Sequence, residues 1–346
     1  MRRVGIGLLG CGTVGGGFVR LVTRERERIR ARHGVDVEIT RILVRDPHKE
    51  RPGVRRDLLT TSAIDVIDAD CDLIVEVIGG VHCAGAYVRR AIARGRDVVT
   101  ANKALLSASG ADLFDAAARG GVEIGFEASV CGGVPVIGAV RRGLAGDSIE
   151  SIAGILNGTS NYVLCRMAEG LDLPEAVLCA QEAGFAEADP SLDLEGQDAA
   201  QKLAILAQLA FDAPVRRTAV RGIADVTRED VERERASGRV IRQVAEAYRV
   251  AGGVDLVVEP RAVPASHPFA RIVDEQNAVV IRGRAVGDVF LSGRGAGSMP
   301  TAAAVLSDVL DLWSDGRFGR RRSSRENRTA KVAVHTGSRR MTHDRI

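Results

Sequence analysis

Gly10-Cys11-Gly12-Thr13-Val14-Gly15 follows directly on an apolar run, residues 4–9, and opens a stretch of helical character that extends to about Ala31. A bare GxGxxG means little in a chain with 39 glycines; its place between a strand and a helix gives it meaning. Gly10 permits the tight turn, Gly12 lets the backbone approach a pyrophosphate, and Gly15 lets helix pack on strand, with helix N–H groups facing the anion. This segment sets the expectation of a Rossmann-type α/β fold that binds a nicotinamide dinucleotide.

The rhythm continues outward from it. Apolar runs at 37–44, 72–78, 97–100 and 122–126 alternate with helical stretches and lack the in–out alternation of a half-exposed sheet, as expected of a doubly wound parallel sheet covered on both faces. The second run ends in Arg45, followed by Asp46. An arginine at that tip suits a ribose 2′-phosphate and favours NADP(H), while Asp46 would serve NAD(H) if the strand ends one residue later. After Pro135 the pattern changes to a strand at 148–156, helices at 158–169, 174–183 and 197–211, and β-like segments at 254–263 and 278–292. This predicts a first domain over 1–135 and a second, α+β substrate and dimerisation domain over 136–298. A helix over 299–312 is expected to return to the first domain, and residues 314–346 read as a basic, disordered tail, with an arm for nucleic acid or an acidic partner as the alternative.

Composition excludes several classes. The 346 residues contain no apolar stretch of membrane-spanning length, the net charge of +3 is too small to argue for nucleic acid, and the six cysteines form no CxxC pair. A cytoplasmic enzyme with reduced thiols and a small-molecule substrate is the expectation. Only four of the 48 basic residues are lysines: Lys49, Lys103, Lys202 and Lys331. Where this chain needs a solvated positive charge it uses arginine, so a lysine inside a motif points to ammonium chemistry.

Two lysines sit in motifs. The segment from Gly184 to Glu195 gathers Glu187, Asp189, Asp193 and Glu195 just before a helix carrying Asp198 and Lys202. Asp198 and Lys202 are four apart and share a helical face, and a surface ion pair is the plain reading. The apolar neighbours Leu203, Ile205 and Leu206 argue instead for burial. Burial, helped by a second cation such as Lys103, is expected to lower the Lys202 pKa and suit it to proton transfer. The carboxylates then hold a substrate ammonium group, with metal ligation as the alternative. Lys103, in Thr100-Ala101-Asn102-Lys103, falls at the C-terminal end of a parallel strand, where such sheets place ligand contacts. The glycine-rich segment 127–135 reads as a hinge.

Together these segments resemble the homoserine dehydrogenase family, colinearly from residue 4 to about 312. Gly10 to Gly15, Val99-Thr100-Ala101-Asn102-Lys103-Ala104-Leu105, Gly154 to Tyr162, Gly184 to Pro190, the helix from Gly196 to Ala207 and Gly295 to Thr301 carry the likeness. The resemblance implies the NAD(P)-dependent interconversion of L-homoserine and L-aspartate 4-semialdehyde, in the biosynthesis of threonine, methionine and isoleucine. It implies Lys202 as proton donor and acceptor, and Glu187 and Asp198 as residues that hold homoserine; Asp193 and Lys103 join them at the substrate on the reading of the residues above. It places the cofactor on Thr13, Val14, Lys103, Gly184 and Gly297. It further implies a homodimer, and sodium held mostly by backbone oxygens at Glu127, Val130, Gly132 and Val134. Two departures stand out: Cys131 where the family has glycine, which matters if that position needs positive φ, and Arg294 where proline is usual. Many bacterial relatives carry a C-terminal ACT domain that senses threonine; an Arg-rich tail stands here instead, so threonine feedback is expected to be absent. An NADP(H)-binding sensor without turnover and a dehydrogenase of another small aldehyde are the alternative readings.

Overall fold

A computed structural model describes residues 2–314; the basic tail beyond Ser314 lies outside the described residues. The N-terminal portion is β1(Arg2–Leu9), α1(Thr13–His33), β2(Val35–Leu43), β3(Leu59–Thr60), α2(Ala63–Ile67), β4(Leu73–Glu76), α3(His82–Ala93), β5(Asp97–Thr100), α4(Lys103–Gly120) and β6(Ile124–Gly125). Its strands form a six-stranded sheet in the order β3-β2-β1-β4-β5-β6, parallel throughout. Strands β4 and β6 are shorter than their apolar runs, whereas β1 and β2 begin two residues before theirs. At the end of β4 the Glu76 carboxylate accepts the N–H groups of Ile78 and Gly79 at 2.9 and 3.2 Å, folding the chain out of the sheet two residues before the run ends.

The chain continues through a short turn, α5(Val136–Gly138), into β7(Ile149–Ile155), α6(Gly158–Ala168), α7(Leu173–Glu182), α8(Ser191–Leu194), α9(Gln197–Ala210), β8(Val215–Val220), α10(Arg228–Ala236), β9(Arg239–Val250), β10(Gly253–Pro264), β11(Gln276–Gly283), β12(Gly287–Arg294) and α11(Ser298–Ser314). The second sheet runs β12-β11-β7-β9-β10-β8 and is antiparallel except between β8 and β10. Helices α6 and α9 pack against this sheet.

Several elements have no counterpart in the sequence reading: the two-residue strand β3 and the single-turn helix α8 are too short to leave a pattern, and β8, α10 and β9 leave a weak one. β8 is a sheet-edge strand containing two exposed arginines, and α10 has a single buried apolar residue, Val231, held instead by a Thr227–Asp230 capping box. β9 buries alanines, Ala245 and Ala247, so its pattern is muted. The run at 278–292 is a hairpin of β11 and β12, not one segment.

Helix α11 lies along α1, burying Ala302, Val305, Leu306 and Val309 in one cluster with Phe18, Val19 and Val22. Its first turn reaches the glycine loop: the Ser298 hydroxyl donates to the Thr13 carbonyl at 2.7 Å and accepts from Arg20 at 3.1 Å.

Candidate active site

Lys103 and Lys202 come from different sheets and meet at one carboxylate. Asn102 caps α4 by accepting the Leu105 N–H at 3.0 Å, which sets Lys103 as the first helical residue beyond β5. Asp198 and Lys202 lie one turn apart on α9, behind the left-handed Gly196. Asp198 Oδ1 is 3.0 Å from Lys103 Nζ, and Oδ2 is 2.7 Å from Lys202 Nζ. Lys202 also donates to the Leu156 carbonyl at 2.8 Å. Two ammonium groups on one carboxylate leave the cluster a net positive charge, suited to an anionic group or to an oxygen gaining negative charge.

The ion pair overturns one expectation. Burial pulls the Lys202 ammonium towards a lower pKa, but the Asp198 carboxylate beside it outweighs burial, and Lys202 stands above its ordinary value. Lys103 does not press on it from free space, because the Asp198 carboxylate lies between them. Asp198, 7% exposed, is held well below the usual carboxylate range: burial opposes this, and both lysines prevail over it. Lys202 is thus disposed to act as a charged acid, not as a half-neutral amine.

Asn157 organises the surrounding carboxylates, and sequence reasoning missed it. Its Oδ1 caps α6 through the Ser160 N–H at 2.7 Å, while Nδ2 donates to Asp193 at 2.6 Å and to Asp198 at 2.8 Å. Burial, with the Asp198 charge behind it, pushes Asp193 up. The other carboxylates of 187–195 do not converge. Glu187, Asp189 and Glu195 are exposed, and Glu187 is engaged through its carbonyl by Gln181, not through its carboxylate. Among the described residues no three His, Cys, Asp or Glu side chains gather as a group that could hold a metal ion.

The glycine turn stands at the same sheet edge. Leu9 pairs with Glu76 and Glu76 with Thr100, so Gly10 and Ala101 leave the sheet two strands apart, about 10 Å. A Cβ on Gly15 would lie 2.1 Å from the Gly10 carbonyl oxygen, whereas one on Gly12 would meet nothing within 4 Å. The turn is closed behind and open in front. The first turn of α1 carries no side-chain cap and no acidic residue, leaving its N–H groups free for an anion. These residues fit the pyrophosphate of a dinucleotide.

Profiles of the homoserine dehydrogenase family match both halves: the NAD-binding domain over residues 10–127 and the homoserine dehydrogenase domain over 135–310. The chain belongs to the homoserine dehydrogenase family. The homoserine dehydrogenase of Bacillus subtilis (strain 168) is 40% identical across 92% of this chain and 75% of its own length. The crystal structure of a homoserine dehydrogenase from Thiobacillus denitrificans superposes with a TM-score of 0.86 at 42% identity, over 90% of this chain and 73% of that one. A hyperthermophilic archaeal homoserine dehydrogenase in complex with NADPH gives 0.78 at 26% identity, over 90% and 98%. The chain is thus an NAD(P)-dependent oxidoreductase of amino-acid biosynthesis, acting on homoserine, and neither the sensor without turnover nor the dehydrogenase of another aldehyde is favoured.

The remaining expected residues fall in three places. Gly297, with φ +110°, precedes the Ser298 that grips Thr13, and so lies against the cofactor turn. Gly184, with φ +77°, ends α7 on an exposed lip, where the Thr159 hydroxyl holds the next carbonyl, that of Phe185, at 2.7 Å. The loop 127–134 is tightly packed. The Glu127 carboxylate accepts the N–H groups of Ile137 and Gly138 at 2.8 and 2.7 Å, one on each oxygen. Cys131 does adopt φ +54°, so the left-handed geometry that favours glycine is held here by a cysteine, whose thiol burial pushes up to about 12. Arg51 also escaped the sequence reading: it bridges from the Asp46 carbonyl at 2.9 Å to the Cys11 carbonyl at 3.3 Å, bracing the loop after β2 on the glycine turn. No helix among the described residues is long and apolar enough to cross a membrane.

Proposed function

We propose that Lys202 moves the proton in this reaction. The observation that carries the reading is the Asp198 carboxylate shared by Lys202 and Lys103. In the reducing direction the Lys202 ammonium donates its proton to the aldehyde oxygen of aspartate 4-semialdehyde as hydride reaches the carbon. In the oxidising direction neutral Lys202 accepts the hydroxyl proton of homoserine. The bound nicotinamide supplies or accepts the hydride. Asp198 orients Lys202 and keeps it charged between turnovers, and Lys103 offers its remaining N–H groups to substrate or cofactor. Glu187 and Asp193 hold the substrate ammonium; Glu187 stands on an exposed loop and would have to close inward.

NADP(H) is the preferred cofactor, carried by Gly10, Gly12, Thr13, Val14, Gly15, Lys103, Gly184 and Gly297. Arg45 is exposed and makes no hydrogen bond or ion pair among the described residues, while the Asp46 carboxylate is folded back on the His48 N–H at 2.8 Å. That leaves the guanidinium for a 2′-phosphate. A monovalent cation, sodium in this reading, is held mostly by the backbone oxygens of Glu127, Val130, Gly132 and Val134. A homodimer forms through the outer face of the second sheet, where Ala153, Val244, Val263, Val280 and the exposed Phe290 line a groove of about 440 Å³.

Oxidation of homoserine assayed with NADP⁺ and with NAD⁺ tests the cofactor reading. A higher kcat/KM with NADP⁺, reversed towards NAD⁺ by Arg45→Asp, is the expected result. A ratio unmoved by Arg45→Asp would place the 2′-phosphate contact elsewhere.

A further inference from the structure

Strand β9 outruns its neighbour. It pairs with β7 only from Ala245 to Tyr248, so along residues 239–244 that side of the strand faces α6 and the Val273–Asp274 turn across a cavity of about 500 Å³. Four guanidiniums line it, from Arg166, Arg235, Arg239 and Arg242, against two carboxylates, Glu169 and Asp274. Both carboxylates are spent on Arg166, at 2.9 and 2.8 Å, and Arg239 pairs with Glu234 at 2.7 Å.

Arg235 and Arg242 have no carboxylate partner among the described residues. Arg235 donates to the Ala168 carbonyl at 2.9 Å. Arg242 is 3% exposed and donates to the carbonyls of Ile241, Phe269 and Ala270, three of its five N–H groups. Carbonyl dipoles satisfy hydrogen bonds without cancelling a full charge, and a buried charge with no counter-ion is costly. The Arg166 Nε group, buried beside the same cavity, has no hydrogen-bond partner. The remaining wall is apolar, with Leu164, Val231, Val240 and Ile241.

We propose that this cavity binds a small organic anion, a carboxylate or phosphate ester with a short apolar body, whose oxygens pair with Arg235 and Arg242. The site lies apart from the active site, on the C-terminal half of α6, whose N-terminal cap, Asn157, grips Asp193 and Asp198. Helix α6 therefore joins the two, and Asn161 in its middle donates to the Ile272 and Asp274 carbonyls at 3.3 and 2.8 Å, tying the helix to the cavity rim.

The test is a titration of the full chain with inorganic phosphate and, separately, with butyrate, by calorimetry and thermal unfolding. Saturating NADPH keeps either probe from reporting on the cofactor cradle. The expected result is saturable binding of at least one probe, accompanied by a rise in Tm, with the better binder naming the anion class. Binding should weaken at least tenfold in Arg235→Ala, where an exposed side chain is removed, and in Arg242→Lys, which keeps the charge but loses the fork. A response no larger than that to sodium chloride of equal ionic strength, or unchanged affinity in Arg235→Ala, would overturn the proposal.

Discussion

Asp198 holds the proton on Lys202, and that gives the enzyme a direction-dependent response to pH. With Lys202 raised above its ordinary value of about 10.4, the ammonium that serves reduction persists across the neutral range, while the neutral amine that oxidation needs is scarce and grows as pH rises. For homoserine oxidation kcat/KM should therefore climb with pH through the neutral and mildly alkaline range. In Asp198→Asn, burial and the charge of Lys103 act on Lys202 with only the more distant Asp193 and the Leu156 carbonyl against them, and the rising limb should move down by at least about one pH unit, the equivalent of roughly 1.4 kcal/mol. A limb at the same pH in the variant would separate Lys202 from the titrating group. The rarity of lysine made Lys103 and Lys202 legible in the sequence. What spacing did not show was the sign of the shift, because it depends on a carboxylate placed between two lysines by different sheets. Asn157 went unread, because the residues it grips, Asp193 and Asp198, lie 36 and 41 residues away along the chain.

At the scale of elements, three loops stack in order: the cofactor turn 10–13, then 295–298, then 131–133. The contact between the last two is backbone on backbone. Gly133 donates to the Arg294 carbonyl at 3.0 Å, and a Cβ on Gly132 would sit 2.4 Å from the Gly295 carbonyl oxygen. Gly132→Ala should destabilise the protein by about 2–4 kcal/mol through this clash and its φ of +45°, seen as a Tm lower by several degrees. Unfolding unchanged within error would show that the loop can move aside. Cys131 next to it already bears a left-handed φ, at a cost of about 1–2 kcal/mol. The parallel sheet was legible because β1, β4 and β5, buried on both faces, give unbroken apolar runs, whereas β2 alternates and the two-residue β3 left no pattern. The hairpin of β11 and β12 hid inside one such run, and α10, β8 and β9 were illegible because capping, edge placement and buried alanines leave no strong periodicity.

For the whole molecule, the second sheet is covered by helices on one side, and the groove bearing Phe290 marks the other. Phe290→Glu should convert a dimer into monomers in sedimentation or light scattering, since a buried carboxylate opposes sheet-on-sheet packing. Dimers persisting in the variant would move the interface elsewhere. How the two portions of the chain meet was the least legible feature: α4 and α9 come together at Asp198 through packing that no local pattern encodes.

The central claim is that Lys202 carries the proton. It is tested most directly by Lys202→Ala, with kcat for homoserine oxidation and NADPH affinity measured on the same preparation. A fall in kcat of about 10²–10⁴-fold with NADPH binding unchanged is the predicted result. A variant that turns over at a near-normal rate would contradict the account.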